Sequence, residues 1–175
     1  MLKNISIHNN VSDYPAIFNA ALLADIIIIF LLYYTNFLGD PKTLKMWYEK
    51  YRLSAVIADV FILIIGMILG RFFYYKIFKE YSFIKFALLI LIIQIVHDFS
   101  FYNFIIKPLP KGLNDMIDLF KEYASEVSGR AILGDSFMML ITILLSSLFA
   151  NLDTNNNIIL GVVLLYILPY ILHIR

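Results

Sequence analysis

Five stretches of this chain are apolar for so long that their backbone must satisfy its hydrogen bonds internally: residues 15–38, 53–73, 83–106, 131–150 and 158–174. A helix does this within one segment, and about 20 residues of helix cross the hydrocarbon core of a bilayer. The alternative, a soluble fold, fails on coverage. Hydrophobic residues make up 61% of the chain and charged residues 15%, too few charges to sheath so much apolar surface. The expected fold is all-α: a polytopic membrane bundle of about five transmembrane helices.

The breaks between the runs fit that reading. Pro15 suits the first turn of a helix, GDPK at 39–42 stops the first run, and KPLPKG at 107–112 ends the third. NLDTNNN at 151–157 reads as a polar turn, and Pro169 lies near the end of the fifth run. Residues 1–14 form a polar tail without the basic-then-apolar order of a cleaved signal peptide. The first run is therefore read as a retained span, and residues 15–175 as a single transmembrane domain. A formal charge of +1 gives no basic surface for nucleic acid. The absence of cysteine excludes disulfides, thiolate metal sites and cysteine nucleophiles.

Between the third and fourth runs lies GLNDMIDLFKEYASEVSG. Met116, Ile117, Phe120, Ala124 and Val127 recur at helical spacing, opposite Asp115, Asp118, Lys121, Glu122 and Glu126. This spacing predicts an amphipathic helix over 114–128, lying on the membrane or on the end of the bundle and closed by Gly129. KMWYEKY, with Trp47, Tyr48 and Tyr51, reads as a shorter version in the interfacial aromatic belt. Loops 39–52 and 107–130 with the C-terminus carry nine lysines and arginines, against five on the other side. The positive-inside rule then puts the larger loops in the cytoplasm and the N-terminus outside or in a lumen. Asn4-Ile5-Ser6 and Asn10-Val11-Ser12 have the spelling of glycosylation sequons, although an Asn-rich tail produces such triplets by chance.

Acids recur inside the apolar runs. ALLAD at 21–25, AVIAD at 55–59 and AILGD at 131–135 share one local pattern ending in Asp. On a helix, Asp59, Gly66 and Gly70 fall within about 40° of one line, and so do Asp135, Thr142 and Ser146. An acid above two small residues faces a neighbouring helix, not lipid. The segments 53–73 and 129–149 align without gaps, and Asn36-Phe37 and Asn103-Phe104 are each followed by a proline four residues after the Phe. A duplicated helical hairpin would give both. Counted from Arg52, Arg130 and Lys107, the acids Asp59, Asp135 and Asp98 lie roughly 7–14 Å below one face. Gln94 and His97 share their level, and Asp25 lies deeper. The candidate site is thus an intramembrane polar layer of Asp59, His97, Asp98, Asp135, Gln94 and Asp25, with Arg52 and Arg130 as candidate charge partners.

Two readings of the layer stand open. Buried acids pair helices, or they form a small channel, proton pathway or transporter. A third, an intramembrane aspartyl enzyme pairing Asp59 with Asp135, lacks the first glycine of the expected Gly-x-Gly-Asp, because the run here is Ile132-Leu133-Gly134-Asp135. Nucleophile elbows, phosphate loops and zinc-protease helices are absent, and no catalytic role is expected. His8 and His173 are too scattered to join His97 in a metal site, and no cofactor is expected.

The segments WYEKYRLSAVIADV, QIVHDFSFYNF and NDMIDLFKEYASEVSGRAILGDSFMM resemble uncharacterised multi-pass membrane proteins of large double-stranded DNA viruses of algae and protists. The resemblance covers residues 45–150 and implies a viral membrane component, in the virion's internal membrane or in remodelled host membranes. It implies no chemistry. The expected role is structural or scaffolding, through contacts with lipid, with other membrane or capsid proteins, or with a second copy.

Overall fold

The computed structural model describes residues 2–39, 41–127 and 129–173, with Arg130 described through its backbone. Seven α-helices run through them, and no strand is present among the described residues. They are α1 (Tyr14–Tyr34), α2 (Lys42–Tyr51), α3 (Leu53–Ile77), α4 (Phe83–Phe101), α5 (Asp115–Val127), α6 (Arg130–Phe149) and α7 (Thr154–Leu172). A 3-10 turn, Val11–Asp13, leads into α1, and a π-helical turn, Tyr102–Ile106, extends α4. Helices α1, α3, α4, α6 and α7 are each long and apolar enough to cross a membrane.

Helix α1 packs against α3, α6 and α7, while α4 packs against α3 and α6. The helices α1, α3, α4 and α6 thus close a ring, and α7 lies outside it against α1. In the most apolar stretch of α1, 67% of the residues are buried, against 17% in α7. Lipid is as apolar as leucine, so helices in a bilayer associate through close packing of small residues and through hydrogen bonds. The central helix is built that way. Ala16, Ala20, Ala21 and Ala24 of α1 are buried, and its partner α6 buries Thr142, Ser146 and Ser147 completely. Side-chain carbon added at Gly66 or Gly70 of α3 would run into Met139 of α6 or Ile90 of α4. The two glycines therefore serve two different neighbours. Gly161 of α7 lies against Asn19 of α1, whose amide donates to the Asn157 carbonyl at 2.7 Å.

Exchanging α1–α2–α3 with α4–α5–α6 maps the contacts onto one another. The pair α1·α3 becomes α4·α6, α1·α6 becomes α4·α3, and α2·α5 maps onto itself. A duplicated hairpin would produce this pattern.

Several boundaries differ from those read in the sequence. Helix α1 stops at Tyr34, four residues early, because Thr35 turns extended and its hydroxyl donates to the Leu31 carbonyl at 2.7 Å. Helix α7 starts at Thr154, inside the expected turn, because Asp153 caps it by accepting from the Asn156 N–H at 2.8 Å. Gly129 does not close α5 in a left-handed conformation. With φ −65° it stands as the residue before α6. Trp47 and Tyr48 are not in an interfacial belt, being 5% and 2% exposed and pointing into the bundle. The turn that sends them there is at Arg52, whose φ of +46° folds α2 back across the end of α3.

The opposite end is closed by the N-terminal segment. Ile5, Ser6 and Asp13 are buried there. Arg71 of α3, 1% exposed, donates to the carbonyls of Ile7 and Asn10 and pairs with Asp13 at 3.2 Å. Lys3 joins the group at 3.5 Å from Asp13 and ties it to the carbonyl of Ala150, just past the end of α6.

Candidate functional site

The carboxyl layer lies beneath a cap made by α2 and α5. Helix α2 is preceded by Pro41, whose side chain cannot satisfy the free N–H groups of a first turn. Glu126 of α5 does so instead. Its two carboxylate oxygens accept from the backbone N–H groups of Lys42 and Thr43, both at 2.9 Å, and from the Thr43 hydroxyl. The Thr43 contacts hold the Glu126 carboxyl below the usual carboxylate range. Trp47 of α2 packs its ring on Phe120 of α5, with centroids 4.8 Å apart, and Lys50 pairs with Asp115 at 3.1 Å. The α5 face read from the sequence is thus turned partly toward α2.

From this cap two aromatic side chains reach the acids. The Tyr48 hydroxyl is 2.7 Å from Asp25 Oδ1 of α1 and 3.0 Å from Asp59 Oδ2 of α3. Trp47 Nε1 donates to the same Asp59 oxygen at 2.9 Å. Asp25 is fully buried, and its Oδ2 has no hydrogen-bond partner. Asp25, which the sequence places deeper than the other acids of the layer, is joined to Asp59 through Tyr48. Burial, followed by the nearby Asp25 and Asp59 charges, pushes the Tyr48 phenol well above its ordinary value, so it keeps its proton.

A second cluster links α4 to α6. Ser136 donates to Gln94 Oε1 at 2.8 Å, the Gln94 amide donates to Asp98, and His97 Nδ1 lies 3.1 Å from Asp98 Oδ1. Asp135 is half-buried. The phenol of Tyr123 on α5 is raised by burial and then by the Asp135 and Asp59 charges. No hydrogen bond joins Asp59 to Asp135 among the described residues. Among the described residues Arg52 does not pair with an acid; its guanidinium meets His173 at the end of α7. The side chain of Arg130 lies outside the described residues. Among the described residues no group of three or more His, Asp or Glu side chains is arranged to hold a metal ion.

The sequence reading missed Tyr48, Trp47, Tyr123 and Ser136. Trp47 and Tyr123 carried a signal of a kind: Trp47 and Asp59 are twelve residues apart, and so are Tyr123 and Asp135. Chemically, the arrangement can fasten helices and hold protons within a polar layer. Comparison of the chain with family models, with curated proteins and with solved structures finds no match.

Proposed function

We propose that this is a structural integral membrane protein whose buried acids join helices, leaving the outer faces of α2 and α5 for contacts with other proteins or a second copy. The observation that carries this is the engagement of Asp25 and Asp59 by Tyr48 and Trp47. Acids used in this way hold a surface helix to two spans. Two surface cavities, of about 250 and 190 Å³, lie at the end of α1 and beside the N-terminal segment, and neither is lined by an acid of the layer. Catalysis has no place in this reading. The excess of cations beside α2 and α5 supports a cytoplasmic position for the cap. The proposed setting, a virion membrane or a host membrane remodelled by a virus, rests on the resemblance of residues 45–150 alone, and copurification with virions tests it.

The second reading, a proton or cation pathway, is favoured by one observation: the charges of both Asp135 on α6 and Asp59 on α3 act on the Tyr123 phenol. Flux separates the two readings. The protein reconstituted in liposomes under a pH gradient is expected to pass no more protons than empty vesicles, while Asp59→Asn lowers its resistance to denaturant. Flux above the empty-vesicle level that Asp59→Asn abolishes would overturn the structural reading.

A further inference from the structure

The Tyr48 hydroxyl lies within hydrogen-bond distance of two carboxyl groups but carries a single proton. If it donates to one carboxylate, its oxygen can still accept, and a bond to the second carboxyl needs a proton on that group. The alternative is one O–H divided between two carboxylates. That would leave two negative charges close together in a buried site, an arrangement that carboxyl pairs avoid by sharing a proton. Trp47 Nε1–H helps Asp59 bear charge. Asp25 has no such donor, is fully buried and has one oxygen without any partner.

We infer that Asp25 and Asp59 form a binding site for one proton, held mainly on Asp25, and that this proton fastens α2 over the end of the bundle. The phenol then donates to Asp59 and accepts from protonated Asp25, so a continuous chain runs from α1 through α2 to α3. Release of the proton puts a second negative charge at the site. The groups that face it make this unfavourable. Tyr48 on α2 and Tyr123 on α5 are phenols, and Asp135 on α6 and Asp98 on α4 are acids, so none of the four supplies a positive charge. Arg52, at the α2–α3 junction, is turned to His173 at the end of α7. Loss of the proton therefore breaks the Asp25–Tyr48 bond and loosens α2 while leaving the spans in place. This deepens the structural reading and rests on it, yet its test is spectroscopic and independent of flux.

Trp47 is the single tryptophan of the chain and donates to Asp59, so its emission reports the site directly. The full-length protein in nanodiscs should show a red shift of Trp47 emission as pH rises through the point of proton release. Asn at position 25 presents an N–H where the protonated acid presents O–H. Asp25→Asn should therefore hold the emission at its low-pH position throughout, and Tyr48→Phe should hold it at the high-pH position. Emission in the wild type that does not change with pH, or a transition that survives in Asp25→Asn, would overturn the proposal. Should a variant fail to fold, infrared spectra of wild type with isotope-labelled aspartate give a second test. At neutral pH a carboxylic-acid C=O band must be present, and it must disappear together with the Trp47 shift. Absence of that band, or its persistence after the shift, would also overturn the assignment.

Discussion

A guanidinium buried to 1% exposure within an apolar helix has to be surrounded by acceptors, and Arg71 is held by two carbonyls, the Asp13 carboxylate and the face of Tyr14 at 5.0 Å. Two of its nitrogens, Nε and Nη1, remain without hydrogen-bond partners, so the pair is under no surplus of stabilisation. Removing one member of a buried pair strands the other charge at a cost of about 3–5 kcal/mol. Arg71→Met is expected to fall in that range in denaturant unfolding in micelles. Arg71→Met combined with Asp13→Leu should cost less than the sum of the two single changes, since no charge is stranded. The sequence gives little warning of this pair. Asp13 and Arg71 are 58 positions apart, and their meeting depends on the N-terminal segment folding back over the bundle, which no local spacing encodes. The facing of Gly66 and Gly70 was legible because helical phase alone decides it. Tyr48 was not, because an aromatic residue beside a span fits an interfacial belt equally well until the turn at Arg52 directs it inward.

The two short helices show the same division. The existence of α5 follows from its periodicity, and its start from Asn114, whose side chain accepts from the N–H groups of Met116 and Ile117. The start of α2 is set by Glu126, 83 residues away from Thr43. Local chemistry gives no cap at Pro41, so the beginning of this helix could not be read from its own residues. The Glu126 carboxyl is held below its ordinary value of 4.5 by the Thr43 hydroxyl and the backbone N–H groups. A depressed carboxyl stabilises the fold above its unfolded value and ceases to do so as pH falls through the folded one. Hydrogen exchange of the first turn of α2 should therefore be faster in Glu126→Gln than in wild type at neutral pH. The difference should shrink as the pH falls below about 4.5 and the wild-type carboxylate takes up a proton. A difference that stays constant with pH would mean that the charge of Glu126 is not what caps the helix.

The number of spans was legible because hydropathy and length decide it; which span lies at the centre was not, because the runs are apolar on every side. What distinguishes α1 is its alanines, and their value appears only when α6 is seen against them with its own small residues. Five crossings, an odd number, would put the two ends of the chain on opposite faces of a membrane. The Arg52–His173 contact puts the end of α7 beside the α2–α3 junction, while Arg71, nineteen residues further along α3, holds the N-terminal segment at the other end. The chain has no cysteine, so single cysteines introduced at exposed positions report sidedness without background. Ser125→Cys on α5 and Glu80→Cys between α3 and α4 are both exposed sites, and a membrane-impermeant maleimide should reach them from opposite faces of sealed vesicles. Asn155→Cys at the start of α7 should label together with Glu80→Cys. With the cation excess beside α2 and α5, Ser125→Cys is the position expected to need permeabilisation when the reagent is outside the cell. Labelling of Ser125→Cys and Glu80→Cys from one face would mean that α3 does not cross, and the ring of four helices would then lie across the membrane instead of through it.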